Sequence, residues 1–143
     1  MVVKTNRTLI LVGVTVLLAA ASACSLAKGK GIAEKAVAQF HEQFNARQYH
    51  EIYVQADDDF KKSASEADFT ALLEAVQRKL GTVKGANPAG WGVNATPLGT
   101  MATLSYQVDF SEGKGQEQFV FRIKNEHASL YGYNVNSPLL ITR

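Results

Sequence analysis

The sequence predicts an α+β domain in which N-terminal helices pack on a curved antiparallel β-meander. Apolar residues recur at a helical period from residue 32 to residue 80, and from residue 101 they alternate strictly. Between the two patterns, Lys79-Leu80-Gly81 supplies a basic last turn and the glycine at which helices stop.

Ahead of the domain stands an export signal, predicted over residues 1–23. Lys4 and Arg7 form a positive start, Leu9 to Ala20 is an apolar run broken by Gly13 and Thr15, and Ala21-Ser22-Ala23 supplies small residues. The run falls short of the roughly 20 apolar residues that a membrane span needs. Cys24, the only cysteine, follows directly. A single thiol in an exported chain calls for a role, and its place at the cleavage point offers one.

Leu17-Leu18-Ala19-Ala20-Ala21-Ser22-Ala23-Cys24 resembles the lipobox of bacterial lipoproteins, with Ala21 where Leu is commonest. The resemblance implies acylation of Cys24, palmitate-type chains and a membrane held through that lipid anchor. Ser25, standing where Asp would retain a lipoprotein at the inner membrane, implies the outer membrane and a domain facing the periplasm. Each buried methylene contributes about 0.8 kcal/mol, so two or three chains hold without a spanning helix. Ala21-x-Ala23 also suits ordinary signal peptidase, whose product would be a soluble periplasmic protein.

Residues 24–31, with Gly29 and Gly31 and no periodicity, read as the lipidated Cys and a short tether. Residues 32–143 read as a single domain. Ile32, Ala33, Ala36, Val37, Phe40 and Phe44 form the stripe of a first helix ending near Arg47. A second helix is expected over Tyr49 to Ala56, stopped by Asp57-Asp58-Asp59. Ser65 caps a third, whose buried stripe is Phe69, Leu72, Leu73, Val76 and Leu80. Strands are expected around Val83 and across Trp91 to Thr96, separated by Asn87-Pro88-Ala89-Gly90. In the next strand Ala102, Leu104, Tyr106, Val108 and Phe110 share one face, with Thr103, Ser105, Gln107 and Asp109 opposite. Phe119, Phe121 and Ile123 then oppose Gln118, Arg122 and Lys124, and Asn125-Glu126-His127 turns the chain into Ala128 to Val135.

This order, closed by Leu130-Tyr131-Gly132-Tyr133-Asn134-Val135-Asn136-Ser137, resembles the cystatin-like/NTF2-like roll of small bacterial lipoproteins. Trp91 and Lys79-Leu80-Gly81 support the likeness. The family implies a cone between sheet and helices that in some members holds an acid or base beside tyrosines. It hosts isomerases, dehydratases, binding modules and dimers, so it assigns no function.

The sequence's 15 Lys and Arg include Lys4 and Arg7, which leaves 13 basic against 13 acidic residues from position 24 onward. Such a balance gives no footprint for nucleic acid. His41, His50 and His127 are far apart in sequence, and Asp57-Asp58-Asp59 lacks the alternation of a calcium loop, so no metal site is expected. Neither a Gly-x-Ser-x-Gly elbow nor a phosphate-binding glycine pattern is present, and no cofactor is expected.

Two candidate sites remain. Trp91, Tyr106, Phe121, Tyr131 and Tyr133, with His41, would line a pocket inside the cone, or else simply fill the core. Thr103, Ser105, Gln107, Gln118 and Arg122, on the outward sheet face, would meet a partner. The expected function is that of a non-catalytic, lipid-anchored envelope protein that binds another protein, as an accessory, adaptor or immunity protein does. Its alternatives are a binder of small apolar ligands, an enzyme of the isomerase or dehydratase kind, and a homodimer formed through the sheet.

Overall fold

Helix α1 (Arg7–Asn45) carries the chain into the domain and lies along the sheet. The computed structural model describes residues 7–142, with side chains from Ser25 to Thr142. The Cys24 side chain and those of the export signal lie outside the described residues. α1 starts well before the expected Ile32 and runs unbroken through 25–31, where a tether without periodicity was expected. Tertiary contact outweighs the roughly 1 kcal/mol by which a helical glycine is disfavoured. Gly29 is buried, and a Cβ there would stand 3.2 Å from Val93 Cγ1, so the missing side chain lets helix and sheet approach. Lys28 pairs with Glu126, and Lys30 pairs with Glu34 at 3.0 Å one turn on. Further along, Ala33, Val37, Phe40, His41 and Phe44 are buried.

Helices α2 (Tyr49–Val54), α3 (Asp58–Ser63) and α4 (Glu66–Leu80) follow. The aspartate run, expected only to stop a helix, also starts one. The Asp57 carboxylate accepts from the Asp59 N–H at 3.0 Å and caps α3. Ser65 caps α4 as expected, accepting from the Asp68 N–H at 3.1 Å. Leu72, expected in the buried stripe of α4, is exposed. Gln77 is buried instead; its amide donates to the Phe44 carbonyl at 3.0 Å and accepts from the Tyr49 hydroxyl. Gly81 ends α4 at φ +80°, where a Cβ would collide with Ser111 Oγ.

Strands β1 (Val83–Thr96), β2 (Gly99–Phe110), β3 (Lys114–Lys124) and β4 (His127–Asn136) form an open four-stranded antiparallel sheet in sequence order. The fold is therefore α+β, helices first and sheet second. The two strands expected before residue 97 are one strand, with irregularities between Val83 and Gly85 and between Pro88 and Gly90. Pro88 is tolerated because β1 is an edge and needs no N–H on its free side. Ala102, Leu104, Tyr106, Val108 and Phe110 are all buried, as the alternation predicts. Asn125 and Glu126 both have positive φ, giving the tight turn whose twist suits a two-residue hairpin. A last short helix, α5 (Pro138–Ile141), is capped by Ser137.

Arg122 is a correction. Expected on the open face, its side chain is only 7% exposed. Its two terminal nitrogens donate to Asp57 Oδ1 at 2.8 Å and Asp59 Oδ2 at 2.9 Å, and its guanidinium lies 4.8 Å from the centre of the Tyr131 ring. Between Val120 and Phe121 the β3–β4 register slips, leaving Tyr131 as an extra residue, and bulges of this kind re-aim neighbouring side chains. The Asp57 N–H donates to the Leu130 carbonyl at 2.9 Å, so the α2–α3 corner is fastened to edge strand β4. Arg122→Ala would leave the Asp57 carboxylate without its cation, and should lower the midpoint of urea unfolding. Arg122→Lys should recover only part of that, since a point-like ammonium on a flexible stem lacks the rigid planar spread with which the guanidinium spans Asp57 and Asp59.

Candidate functional site

Two polar assemblies stand out from the packed core. The first is internal. α1 turns His41 toward β3, where Nε2 lies 2.6 Å from Glu117 Oε2. A carboxylate only accepts, so the ring donates from this nitrogen. Glu117 Oε1 accepts from the Tyr133 hydroxyl at 2.6 Å, so α1, β3 and β4 are joined through one carboxylate. The His41 and Glu117 side chains are 10% and 1% exposed. Aromatic rings enclose them: Phe40 and Phe119 at 5.0 Å, Phe119 and Tyr133 at 5.2 Å, Phe40 and Tyr133 at 4.9 Å. Burial, then the charge of Glu117 and the bond to it, pushes the Tyr133 phenol well above its ordinary 10.0.

The five residues expected to line a pocket are not brought around one cavity. Trp91 is exposed on edge strand β1, and Tyr131 packs under Arg122. Tyr106 and Phe121 are buried against Phe119, with ring centres at 6.3 and 5.9 Å. Tyr133 is engaged by Glu117. A cleft between α1 and the sheet, reaching Phe40, Phe121 and Leu130, holds about 40 Å³. That is room for a few waters; the wider groove of about 460 Å³ that continues from it past Ala36 and His127 to Lys28 and Glu126 lies at the surface, outside the core.

The second assembly lies on the outer face of the sheet. The strand register sets Asn87, Gln107, Gln116 and Asn136 in one row across all four strands. Beside it, Gly90, Ser105, Gln118 and Asn134 form the next. Both rows flank a groove of about 250 Å³ to which Ala89 and the Tyr106 and Glu117 positions also contribute. No charged side chain stands in either row. Each amide presents a donor and an acceptor to solvent. Of the expected contact face, Ser105, Gln107 and Gln118 are gathered here; Thr103 stands half-buried opposite Val120, and Arg122 is withdrawn to Asp57 and Asp59. Asp109 stays outside the interior, as parity predicts, paired with Lys114 at 3.4 Å.

Glu117 is the chemically important residue that sequence reading passed over. Its signal was present: it shares parity with Phe119 and Phe121, a carboxylate in the buried register of an alternating strand. Among the described residues, no three His, Cys, Asp or Glu side chains come close enough to hold a metal ion. Nor, among the residues whose side chains are described, is any helix long and apolar enough to cross a membrane. No protein-family model matches the chain, and no curated protein matches it closely enough to count as a relative.

Glu117→Ala should cost about 3 kcal/mol, because it leaves the His41 ring and Tyr133 hydroxyl buried without their acceptor; Glu117→Gln, which keeps an acceptor, should cost about 1 kcal/mol. Chemical unfolding of the two variants tests this order. The Tyr133 contribution has a defined alkaline sign. The unfolded phenol loses its proton first, so stability is complete below pH 10.0 and is lost as pH rises through the raised folded value. Tyr133→Phe should flatten that decline without abolishing it, since burial also raises Tyr49 and Tyr106.

Proposed function

We propose that this protein is a lipid-anchored, non-catalytic accessory protein of the bacterial cell envelope that binds another protein through the outer face of its sheet. Cys24 carries the anchor and the domain faces the periplasm from the outer membrane. The helices-then-meander order supports assignment to the cystatin-like/NTF2-like roll. The observation that carries the binding reading is the pair of uncharged rows on the sheet, one of four amides and one in which Ser105, Gln118 and Asn134 follow Gly90. An open sheet face needs only scattered polar residues to stay soluble, but these are aligned across every strand and flank one groove.

The crowded interior favours this reading over that of a small-ligand binder. Glu117 has the makings of an acid–base group, yet both its oxygens are engaged and aromatic rings surround it, so a substrate finds little space beside it. A contact made by amides should be nearly indifferent to salt, unlike one steered by charge.

A photo-crosslinking amino acid at position 118 of the natively anchored chain tests the site. A discrete crosslinked protein at 118, and none at Arg78 on α4, is the expected result. Gln107→Ala with Gln118→Ala should then weaken that partner's binding about tenfold, little changed by added salt. A product of twice the chain's mass would make the partner a second copy. No discrete product at 118 would overturn the proposal.

A further inference from the structure

The end of the domain nearest residue 24 has a surface of its own. Alternate turns of an antiparallel meander lie at the same end, so Pro97-Leu98 and Asn125-Glu126 are neighbours there. α1 meets the sheet at this end too. Gly29 packs on Val93 and Ile123, Lys28 pairs with Glu126, and Lys30 Nζ lies 5.4 Å from the centre of the Trp91 ring. The Lys124 side chain passes beside Gly99 in the same corner. Three large apolar side chains remain in water from this end to the middle of edge strand β1: Leu26, Leu98 at 61% exposure and Trp91, opposite Leu104, at 55%. Aromatic and aliphatic tips among lysines are the composition that settles at a membrane–water interface.

Geometry removes the freedom to stand away from a membrane. At 1.5 Å rise per residue, a continuous helix places Lys30 about 9 Å along its axis from Cys24. The headgroup layer of a bilayer is about 5–8 Å thick. An unwound segment of the same six residues would have reached about 20 Å. Lys28 and Lys30 are paired with Glu126 and Glu34, and Lys124 adds a positive charge toward anionic headgroups.

We propose that Leu26, Trp91 and Leu98, flanked by Lys28, Lys30 and Lys124, form a face that docks onto the bilayer carrying the anchor. This rests on the anchoring at Cys24 proposed above. The docked domain is then held in one orientation, with Trp91 at headgroup depth.

Trp91 is the only tryptophan, so its fluorescence reports this position alone. The full chain, matured in a bacterium and purified in detergent, is reconstituted into vesicles of phosphatidylethanolamine and phosphatidylglycerol. A matched set contains phosphatidylcholine brominated near the glycerol end of its acyl chains. The expected result is protein that floats with the vesicles and loses about half its Trp91 emission to the bromines, as an interfacial residue does. Leu98→Asp should reduce the quenching while flotation is unchanged. Floating protein whose emission is the same with and without bromine would overturn the docking face and leave the anchor standing. Protein that fails to float would overturn the anchoring, and the docking face with it.

Discussion

Val37, Phe40 and Phe44 leave water by packing one face of α1 against the sheet, and the other elements take their places from that contact. A four-stranded open sheet has an apolar face that must be covered, and α1 runs across all four strands. α2 and α4 pack against the helix and each other, closing the core around Leu73, Val76 and Leu80. Because burial is non-directional, it leaves open where along the sheet the helix comes to rest. Directional contacts settle that. His41 reaches Glu117 in the middle of α1's path, and Gly29 permits close approach at one end. At the other end the Asn45 side chain exchanges hydrogen bonds with the Val83 backbone, at 2.8 and 3.0 Å.

Two buried charged groups each join pieces distant in sequence. Glu117 ties α1 to β3 and β4; Arg122 ties β3 to the α2–α3 corner. Such groups add little net stability, but misplacing either leaves a charge unpaired, so they penalise alternative packings. With Arg122 withdrawn to Asp57 and Asp59, the two central rows of the outer sheet face carry no charge.

The periodic parts of this fold were legible in the sequence. The β2 alternation put Ala102 to Phe110 on the correct side, and the stripe from Ala33 to Phe44 is the stripe that is buried. Reading failed where tertiary contact overrode local preference. Gly29 and Gly31 looked like a tether because their weak helix propensity is local, whereas Val93 and Ile123, which hold Gly29 in the helix, lie far away in sequence. Pro88 looked like a break because nothing local says that β1 is an edge. Arg122 obeys parity on its strand, but Asp57 and Asp59, which draw in its guanidinium, lie more than sixty residues away in sequence. The outer site was half legible. Ser105, Gln107 and Gln118 follow from alternation, while Gln116, Asn134 and Asn136 join them only once the register is known.

Most depends on α1 being one helix from residue 25 into the core, because that continuity fixes the direction in which the chain before residue 25 meets the sheet. Amide hydrogen exchange on the full chain, resolved over residues 26–44, tests it directly. A packed, continuous helix predicts protection of residues 29–32 approaching that of residues 37–44, since both stretches open only when α1 leaves the sheet. Full exchange of 26–31 within the time that 37–44 stay protected would contradict it, and would restore a flexible tether between Cys24 and the domain.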